Sequence, residues 1–159
     1  SSARRLPVVS LSAEYLAIGH LMRRNILAYK APPNNEGYDL VCLHPDPRKV
    51  TRQIRVQVKS RYQTDCDRAF LVKDKTFSAF DYLIVVFLNI GYFYRRKPVR
   101  DGYRAPEFFT LPREWIRSHH LITQSGWQKV HTKGEALNDF KGERGVELIA
   151  KDLGIDYPK

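Results

Sequence analysis

Three residues on two neighbouring segments carry side chains that together suit phosphodiester chemistry: Asp39, Gln57 and Lys59. Metal-dependent phosphodiester hydrolysis needs oxygen ligands for a divalent cation, a positive charge beside the phosphate and a group that orients the attacking water. Asp39 offers a carboxylate, Gln57 an amide oxygen, Lys59 an ammonium group and Val58 a backbone carbonyl. Hard oxygen donors of this kind favour Mg²⁺ or Mn²⁺ as the cofactor.

The spacing of Gln57 and Lys59 places both side chains on one face of a strand, roughly 6–7 Å apart at ~3.3 Å per residue. A hairpin that pairs this strand with the segment containing Asp39 would bring all three residues together. The same spacing is also typical of a solvated strand face with long polar side chains. The pattern alone therefore leaves both interpretations open.

The element before this hairpin is a helix predicted from about Leu11 to Ile26, with Ser10 or Ser12 as its N-cap. Its apolar side chains recur at the spacing of one helical face, which predicts that they face the core; they are Leu11, Tyr15, Ile18 and Met22, with Leu21 widening the stripe. Glu14 falls in the first turn of this predicted helix, where the helix dipole favours a carboxylate. Glu14 is otherwise a candidate fourth member of the site.

Alternating and continuous apolar runs predict the strands that position the site. A short strand is predicted over 25–30, the two arms of the hairpin over 38–43 and 50–60, and a central strand, buried on both faces, over 82–88. Shorter strands are predicted over 69–72, 90–94 and 108–111, and helices over 75–80, from Pro112 onward and over 143–153. This order predicts an α/β domain whose mixed central β-sheet is flanked by helices.

The helix with Glu14, the run Gly37-Tyr-Asp-Leu-Val41, the run Val56-Gln-Val-Lys-Ser60 and the apolar strand after Phe80 follow one another in a familiar order. From about Ser10 to Asn89, this order resembles the PD-(D/E)xK nuclease superfamily, which includes Holliday-junction resolvases, restriction endonucleases, and homing and transposon endonucleases. The resemblance implies a restriction-endonuclease-like α-β-β-β-α-β core. It also implies a metal-dependent endonuclease that acts on duplex or branched DNA.

Carried over by position, the resemblance makes Asp39 the motif aspartate and metal ligand, and Lys59 the motif lysine. It makes Glu14 the helix glutamate, bound to the metal directly or through water, with the Val58 carbonyl as a further ligand. Gln57 stands where most members have an acidic residue, and Tyr38 stands where many have proline. Some active members carry glutamine at the Gln57 position, but it removes one negative charge. The alternative is therefore a catalytically inactive nucleic-acid-binding module on the same fold.

The net charge of +10 and the isoelectric point near 9.8 indicate an anionic partner, most often nucleic acid. An accessory subunit that binds an acidic protein is a further alternative. The basic residues beside the hairpin and in a later loop are the predicted phosphate contacts: Arg48, Lys49, Arg52, Arg55, Arg61, Arg95, Arg96 and Lys97.

Length and composition predict one domain over 1–159, with a flexible segment over 1–9. The longest apolar run, Tyr82 to Leu88, is far shorter than the ~20 residues that span a bilayer, so no membrane association is predicted. Cys42 and Cys66 have no disulfide or metal-ligand pattern, which favours a cytoplasmic protein. Because cleavage of a duplex needs two cuts, a homodimer is expected.

Overall fold

A computed structural model of the chain describes residues 6–65, 68–92, 102–122, 128–132 and 134–158. Its helices are α1 (Pro7–Met22), α2 (Arg113–His119) and α3 (Glu143–Asp152). Its strands are β1 (Leu27–Lys30), β2 (Leu40–Leu43), β3 (Ile54–Arg61), β4 (Ala69–Leu71), β5 (Tyr82–Phe87), β6 (Glu107–Pro112), β7 (Leu121–Ile122) and β8 (Gln128–His131). Short 3-10 helices cover Pro47–Lys49, Asp74–Ala79 and Glu135–Phe140.

The main sheet has the strand order β1-β2-β3-β5-β6 within the described residues. β1, β2 and β3 form an antiparallel meander, β3 and β5 run parallel, and β5 and β6 are antiparallel. The predicted mixed sheet is therefore confirmed. Every residue of β5 is buried, because its continuous apolar run is covered on both faces, as predicted for the central strand.

The connection between β3 and β5 differs from the helix that the resemblance implies. It contains the three-residue strand β4 and the 3-10 helix Asp74–Ala79. β4 pairs with β8, and β8 with β7, in a second small sheet. The segment over 118–133, which the sequence pattern left unassigned, contains β7 and β8; such short strands have too few residues for a clear periodicity.

The core lies in two layers, one on each face of the main sheet. Alternate residues of β5 point into each layer: Ile84 into one and Leu83 into the other. The first layer is covered by α1 and α3. The apolar stripe predicted for α3 is buried there: Val146, Ile149, Ala150 and Leu153. The second layer is rich in phenylalanine and includes Phe77, Phe80, Phe87 and Phe109.

The predicted bounds of α1 are wrong. The helix begins at Pro7 and ends at Met22, and neither predicted serine caps it. Proline suits the first helical position because that position needs no amide donor, so the helix begins about one turn earlier than the serines suggested. Glu14 consequently lies about two turns inside the helix, not in its first turn, and the dipole explanation of Glu14 no longer applies.

The predicted core face of α1 is confirmed only for Leu21, which is buried, and Ile18, which packs partly buried against the core. Leu11, Tyr15 and Met22 are 37%, 57% and 53% exposed, whereas Ala13, Ala17 and His20 are buried. The physical reason is size, because two alanines on one face allow the helix backbone to approach the sheet closely. The larger apolar stripe is left on the outside of the described fold.

The other predicted strands are present with shifted bounds or lie partly outside the described residues. The hairpin arms are shorter than predicted, and the predicted strand over 90–94 is represented by Ile90, which forms an isolated bridge to Tyr103. Cys42 is buried, and burial raises the pKa of its thiol to about 12. Cys66 lies outside the described residues. No helix in the described ranges is long and apolar enough to cross a bilayer.

Candidate active site

Asp39 directly precedes β2 and is held against β3 by two hydrogen bonds. Its backbone N–H donates to the Val56 carbonyl at 2.8 Å, and its carboxylate Oδ2 accepts from the Val58 N–H at 2.7 Å. β2 and β3 pair with Leu40 opposite Val56, so the two bonds bracket Gln57. The hairpin therefore joins Asp39 to the Gln57–Lys59 segment, as predicted.

The turn before Asp39 depends on a glycine. Gly37 has a φ of +93°, and a Cβ at this residue would lie 2.2 Å from the Cβ of Ala79. Only glycine suits this combination of backbone conformation and close approach. The Asn35 side-chain amide donates to the Tyr38 carbonyl at 3.1 Å, and the Ala31 N–H donates to the Asp39 carbonyl at 2.8 Å. These contacts fix the backbone at the start of β2 and therefore the position of the Asp39 carboxylate.

Gln57 and Lys59 lie side by side on one face of β3 and are half-buried. Neither side chain makes a hydrogen bond or ion pair with another part of the chain that the structure describes. The Val58 N–H points to the β2 edge, and strand geometry directs its carbonyl to the same edge, beyond Val56, where the pairing of β2 with β3 ends. Both side chains and this carbonyl are thus available to a ligand.

Glu14 meets Asp39 in an open cleft of about 250 Å³. The lining residues come from α1, the end of β1 and the loop before β2: Glu14, Lys30, Ala31, Pro32, Pro33, Asn34, Asn35, Tyr38 and Asp39. Burial and the negative charge of Asp39 raise the pKa of Glu14, and Lys30 partly opposes this shift. Two carboxylates that repel each other in a half-covered cleft are a favourable place for a cation.

The structure does not bring all four predicted residues into this one cleft. In the register of β3 with β5, Gln57 lies beside Leu83 and Lys59 beside Val85, on the sheet face of the phenylalanine-rich layer. Glu14 comes from α1 on the other face. Asp39 sits at the strand edge between them, and it is the residue that connects the two halves of the candidate site.

Lys30 was missed by the sequence analysis. It ends β1, pairs with Leu40, and its ammonium lies 5.3 Å from the centre of the Tyr15 ring. Its position next to the cleft follows from the three-stranded meander, because the last residue of β1 lies beside the first residue of β2. A lysine at the end of a strand that pairs with the Asp39 strand is the signal that would have identified it.

The predicted phosphate contacts fall into separate places. Arg48, Lys49 and Arg52 lie in the hairpin turn, at the end of β2 and β3 away from Asp39. They therefore do not flank Asp39, because β2 runs from Asp39 toward the turn. All three are exposed, and Arg48 also pairs with Asp46 at 3.0 Å. Their role in binding DNA stays a prediction.

The other two described candidates have partners inside the fold. Arg55 forms an ion pair with Asp81 at 3.4 Å. Arg61, at the end of β3, donates to the Ala69 carbonyl at 2.8 Å and lies over the Phe70 ring. Both are therefore less available to phosphates than their sequence positions suggested. Arg95, Arg96 and Lys97 lie outside the described residues.

The oxygens nearest Asp39 fit a hard divalent cation: the carboxylates of Glu14 and Asp39 share the cleft, and the Val58 carbonyl lies at the adjoining strand edge. The Gln57 amide oxygen is of the same type but lies on the other sheet face. The described ranges contain no group of three or more His, Cys, Asp or Glu residues placed to hold a metal. A cation here would depend on two carboxylates and would keep several of its waters.

The sequence matches no protein-family model and no curated protein. Among solved structures, the chain is similar to I-Ssp6803I, a bacterial homing endonuclease, with a TM-score of 0.52 and 16% identity over 91% of each chain. A second match, with a TM-score of 0.48 and 11% identity, is Hjc, a Holliday junction resolvase from the archaeal hyperthermophile Archaeoglobus fulgidus; it covers 93% of this chain and 98% of that one. The expected restriction-endonuclease-like α/β fold is confirmed.

Proposed function

We propose that this protein is a divalent-metal-dependent DNA endonuclease that hydrolyses phosphodiester bonds at the site formed by Glu14, Asp39, Gln57 and Lys59. One observation carries the proposal: Asp39 shares a cleft with Glu14 while its two hydrogen bonds to β3 bracket Gln57. The homing endonuclease that shares the fold, and the net charge of +10, support DNA as the substrate.

In the proposed mechanism, the carboxylates of Glu14 and Asp39 would hold Mg²⁺ or Mn²⁺. The Val58 carbonyl, and the Gln57 amide oxygen if its side chain turns to the strand edge, would be the further ligands from the protein. When bound, such a cation offsets the charge that develops on the phosphate and lowers the pKa of a coordinated water. The hydrogen bond from the Val58 N–H keeps the Asp39 carboxylate oriented throughout.

Lys59 supplies the positive charge on the other side of Asp39. Its ammonium has no partner among the described residues, so it is free to contact a phosphate oxygen or the attacking water. A cation placed where negative charge develops stabilises the transition state more than the bound substrate. We expect the loss of Lys59 to lower the rate of cleavage more than the affinity for DNA.

The second candidate function is a nucleic-acid-binding module without catalysis. Two observations favour it: Gln57 provides no charge to a metal, and neither Gln57 nor Lys59 lines the cleft that contains Glu14. This module would bind DNA through its basic surface in a salt-dependent manner, and removal of metal by EDTA would leave the affinity unchanged.

Cleavage assays separate the two functions. Supercoiled plasmid and four-way-junction DNA are incubated with the wild type and with Asp39→Asn and Lys59→Met, in the presence of Mg²⁺, Mn²⁺ or EDTA. The endonuclease predicts metal-dependent cleavage that falls by about 100-fold or more in both variants. Lys151→Met, an exposed residue of α3, is the matched control and should cleave like the wild type. Metal-independent binding without cleavage would favour the second function.

A further inference from the structure

α1 has a second apolar face that the described part of the chain leaves uncovered. It consists of Val8, Leu11, Tyr15, Ile18 and Met22, spaced alternately by three and four residues, and is called the α1 stripe below. Val8 is 78% exposed, and Ile18 is half-buried. Alternation of three and four is the spacing by which two helices pack along a common seam.

The core of the domain accounts for only one member of the α1 stripe, Ile18, which packs against it partly buried. Ala13, Ala17 and Leu21, on the other side of the helix, already make the contacts with the sheet. Gly19, four residues after Tyr15, is exposed, and a Cβ built on it would have no atom within 4 Å. A glycine inside a helix weakens that helix and here serves no packing within the described chain, whereas a second helix in close approach would fill the open space.

Charge identifies the partner. The chain has a net charge of +10, and 28% of its residues are charged, so two copies repel each other over most of their surface. Pro7–Met22 contains a single charged side chain, Glu14, which points into the cleft beside Asp39 and not along the stripe. Lys30 of β1 places its ammonium 5.3 Å from the centre of the Tyr15 ring, at the edge of the stripe. A face whose own side chains carry no charge, on a strongly basic chain, suits a second copy of the same face.

The area of the α1 stripe also suits a dimer. The exposed parts of its side chains amount to on the order of 500 Å², near the upper end for the largest apolar patch of a monomer. A stable interface buries about 800 Å² on each partner, of which a little over half is apolar. The stripe thus has about the apolar area that one side of such an interface needs.

We propose that α1 is the contact surface of a homodimer in which the α1 stripes of two copies pack against each other. Such a contact is isologous, since the same patch is used on both copies. None of the stripe residues is among the proposed site residues, although Glu14 lies on the same helix, so the contact can be measured without an activity assay.

Sedimentation velocity over micromolar to submillimolar protein concentrations tests the proposal. The wild type should form a species of twice the 18.5 kDa of one chain. The double variant Leu11→Glu/Met22→Glu should be monomeric, with a circular dichroism spectrum and thermal unfolding close to the wild type because both residues are exposed. Leu27→Glu/Tyr29→Glu is the matched control, since these exposed residues of β1 lie on the other face of the sheet; it should remain a dimer.

A crosslinking experiment provides a second measurement. Tyr15 is the middle residue of the α1 stripe, so Tyr15→Cys should form an intermolecular disulfide under mild oxidation, and Tyr29→Cys should not. A wild-type chain that is monomeric at every concentration overturns the proposal. A dimer that persists in the α1 variant but dissociates in the β1 control overturns it as well, because the contact would then lie at the sheet edge.

Discussion

Gln57 is the residue on which the chemistry of this site most depends. If its side chain turns to the Asp39 edge, it offers an oxygen but no charge, whereas a glutamate of nearly the same shape would offer both. We predict that Gln57→Glu tightens Mn²⁺ binding by about tenfold or more, because a third carboxylate then faces the cation. Isothermal titration calorimetry with Mn²⁺ measures the change without DNA.

Gln53→Glu is the control for this substitution, because it adds the same charge in the exposed hairpin turn, away from Asp39. The Gln53→Glu variant should bind Mn²⁺ with the same affinity as the wild type. Equal affinities in all three proteins would place the Gln57 side chain outside the metal site, in keeping with its absence from the cleft around Glu14.

Glu14 gives the site a pH dependence. Burial and the charge of Asp39 raise its pKa above the usual carboxyl value, so Glu14 holds its proton to higher pH in the folded chain than in the unfolded one. The protonated form therefore stabilises the fold below the unfolded pKa, and this stability is lost as the pH rises through the folded pKa. We predict that Glu14→Gln removes this loss, so that the variant gains stability relative to the wild type at neutral pH but not in acid.

Lys30 tunes the same group. Its positive charge lowers the pKa of Glu14, so Lys30→Met should raise that pKa further and move the onset of Mn²⁺ binding to higher pH. Thermal unfolding and Mn²⁺ titration from mildly acidic to neutral pH measure both effects. An unchanged pH profile in Lys30→Met would show that the ammonium does not act on Glu14.

At the scale of the elements, Gly37 determines where the loop before β2 positions Asp39. An alanine there would be strained at φ +93°, and its Cβ would meet Ala79 at 2.2 Å. We predict that Gly37→Ala destabilises the fold by about 2–3 kcal/mol, the sum of backbone strain and a displaced contact. Chemical denaturation measures the free energy of unfolding.

Gly154→Ala separates these two causes. Gly154 has a φ of +73° after α3, but a Cβ there would meet no atom within 4 Å. Only the backbone strain should then appear, at about 1 kcal/mol. If both variants lose the same free energy of unfolding, the contact between the new Cβ and Ala79 does not destabilise the fold.

The hairpin and β5 were predictable because local pattern and tertiary packing agree there. Ile54 and Val56 alternate with polar residues, and the run from Tyr82 onward is apolar throughout, so each strand had one arrangement that buried its apolar side chains. The orientation of α1 could not be predicted, because the helix has two apolar faces and periodicity does not show which of them packs against the sheet. The small residues Ala13 and Ala17 decided that question, and hydrophobicity alone ranks them below Leu11 and Tyr15.

The site was predictable only in part for a related reason. Pairing of β2 with β3 follows from the hairpin pattern, which is why Asp39 meets the segment around Gln57. The cleft requires the relative placement of α1, the end of β1 and the loop before β2, which are brought together by tertiary contacts. Lys30 was missed because the sequence does not show which strand end lies at the cleft. For the same reason, the sequence did not show that Arg48 and Arg52 lie at the end of the hairpin away from Asp39.

At the scale of the whole molecule, the +10 charge predicts how DNA binding responds to salt. Each phosphate neutralised by a lysine or arginine adds about −0.9 to the slope of log affinity against log salt concentration. If Lys49 and Arg52 contact duplex DNA, the double variant Lys49→Gln/Arg52→Gln should bind more weakly and reduce the magnitude of the slope by about 2. Fluorescence anisotropy with a labelled duplex in EDTA measures the slope without cleavage.

The two residues are exposed and lie at the turn end of the hairpin, about four residues or ~13 Å along β2 from Asp39. Their loss should therefore weaken binding while single-turnover cleavage of fully bound DNA stays at the wild-type rate. Lys151→Gln removes a charge of the same sign from α3 and should leave the slope unchanged. If the hairpin-turn variant keeps the wild-type slope, the duplex does not extend along β2 to the turn, and the phosphates must be met at the Lys30 and Lys59 end of the sheet.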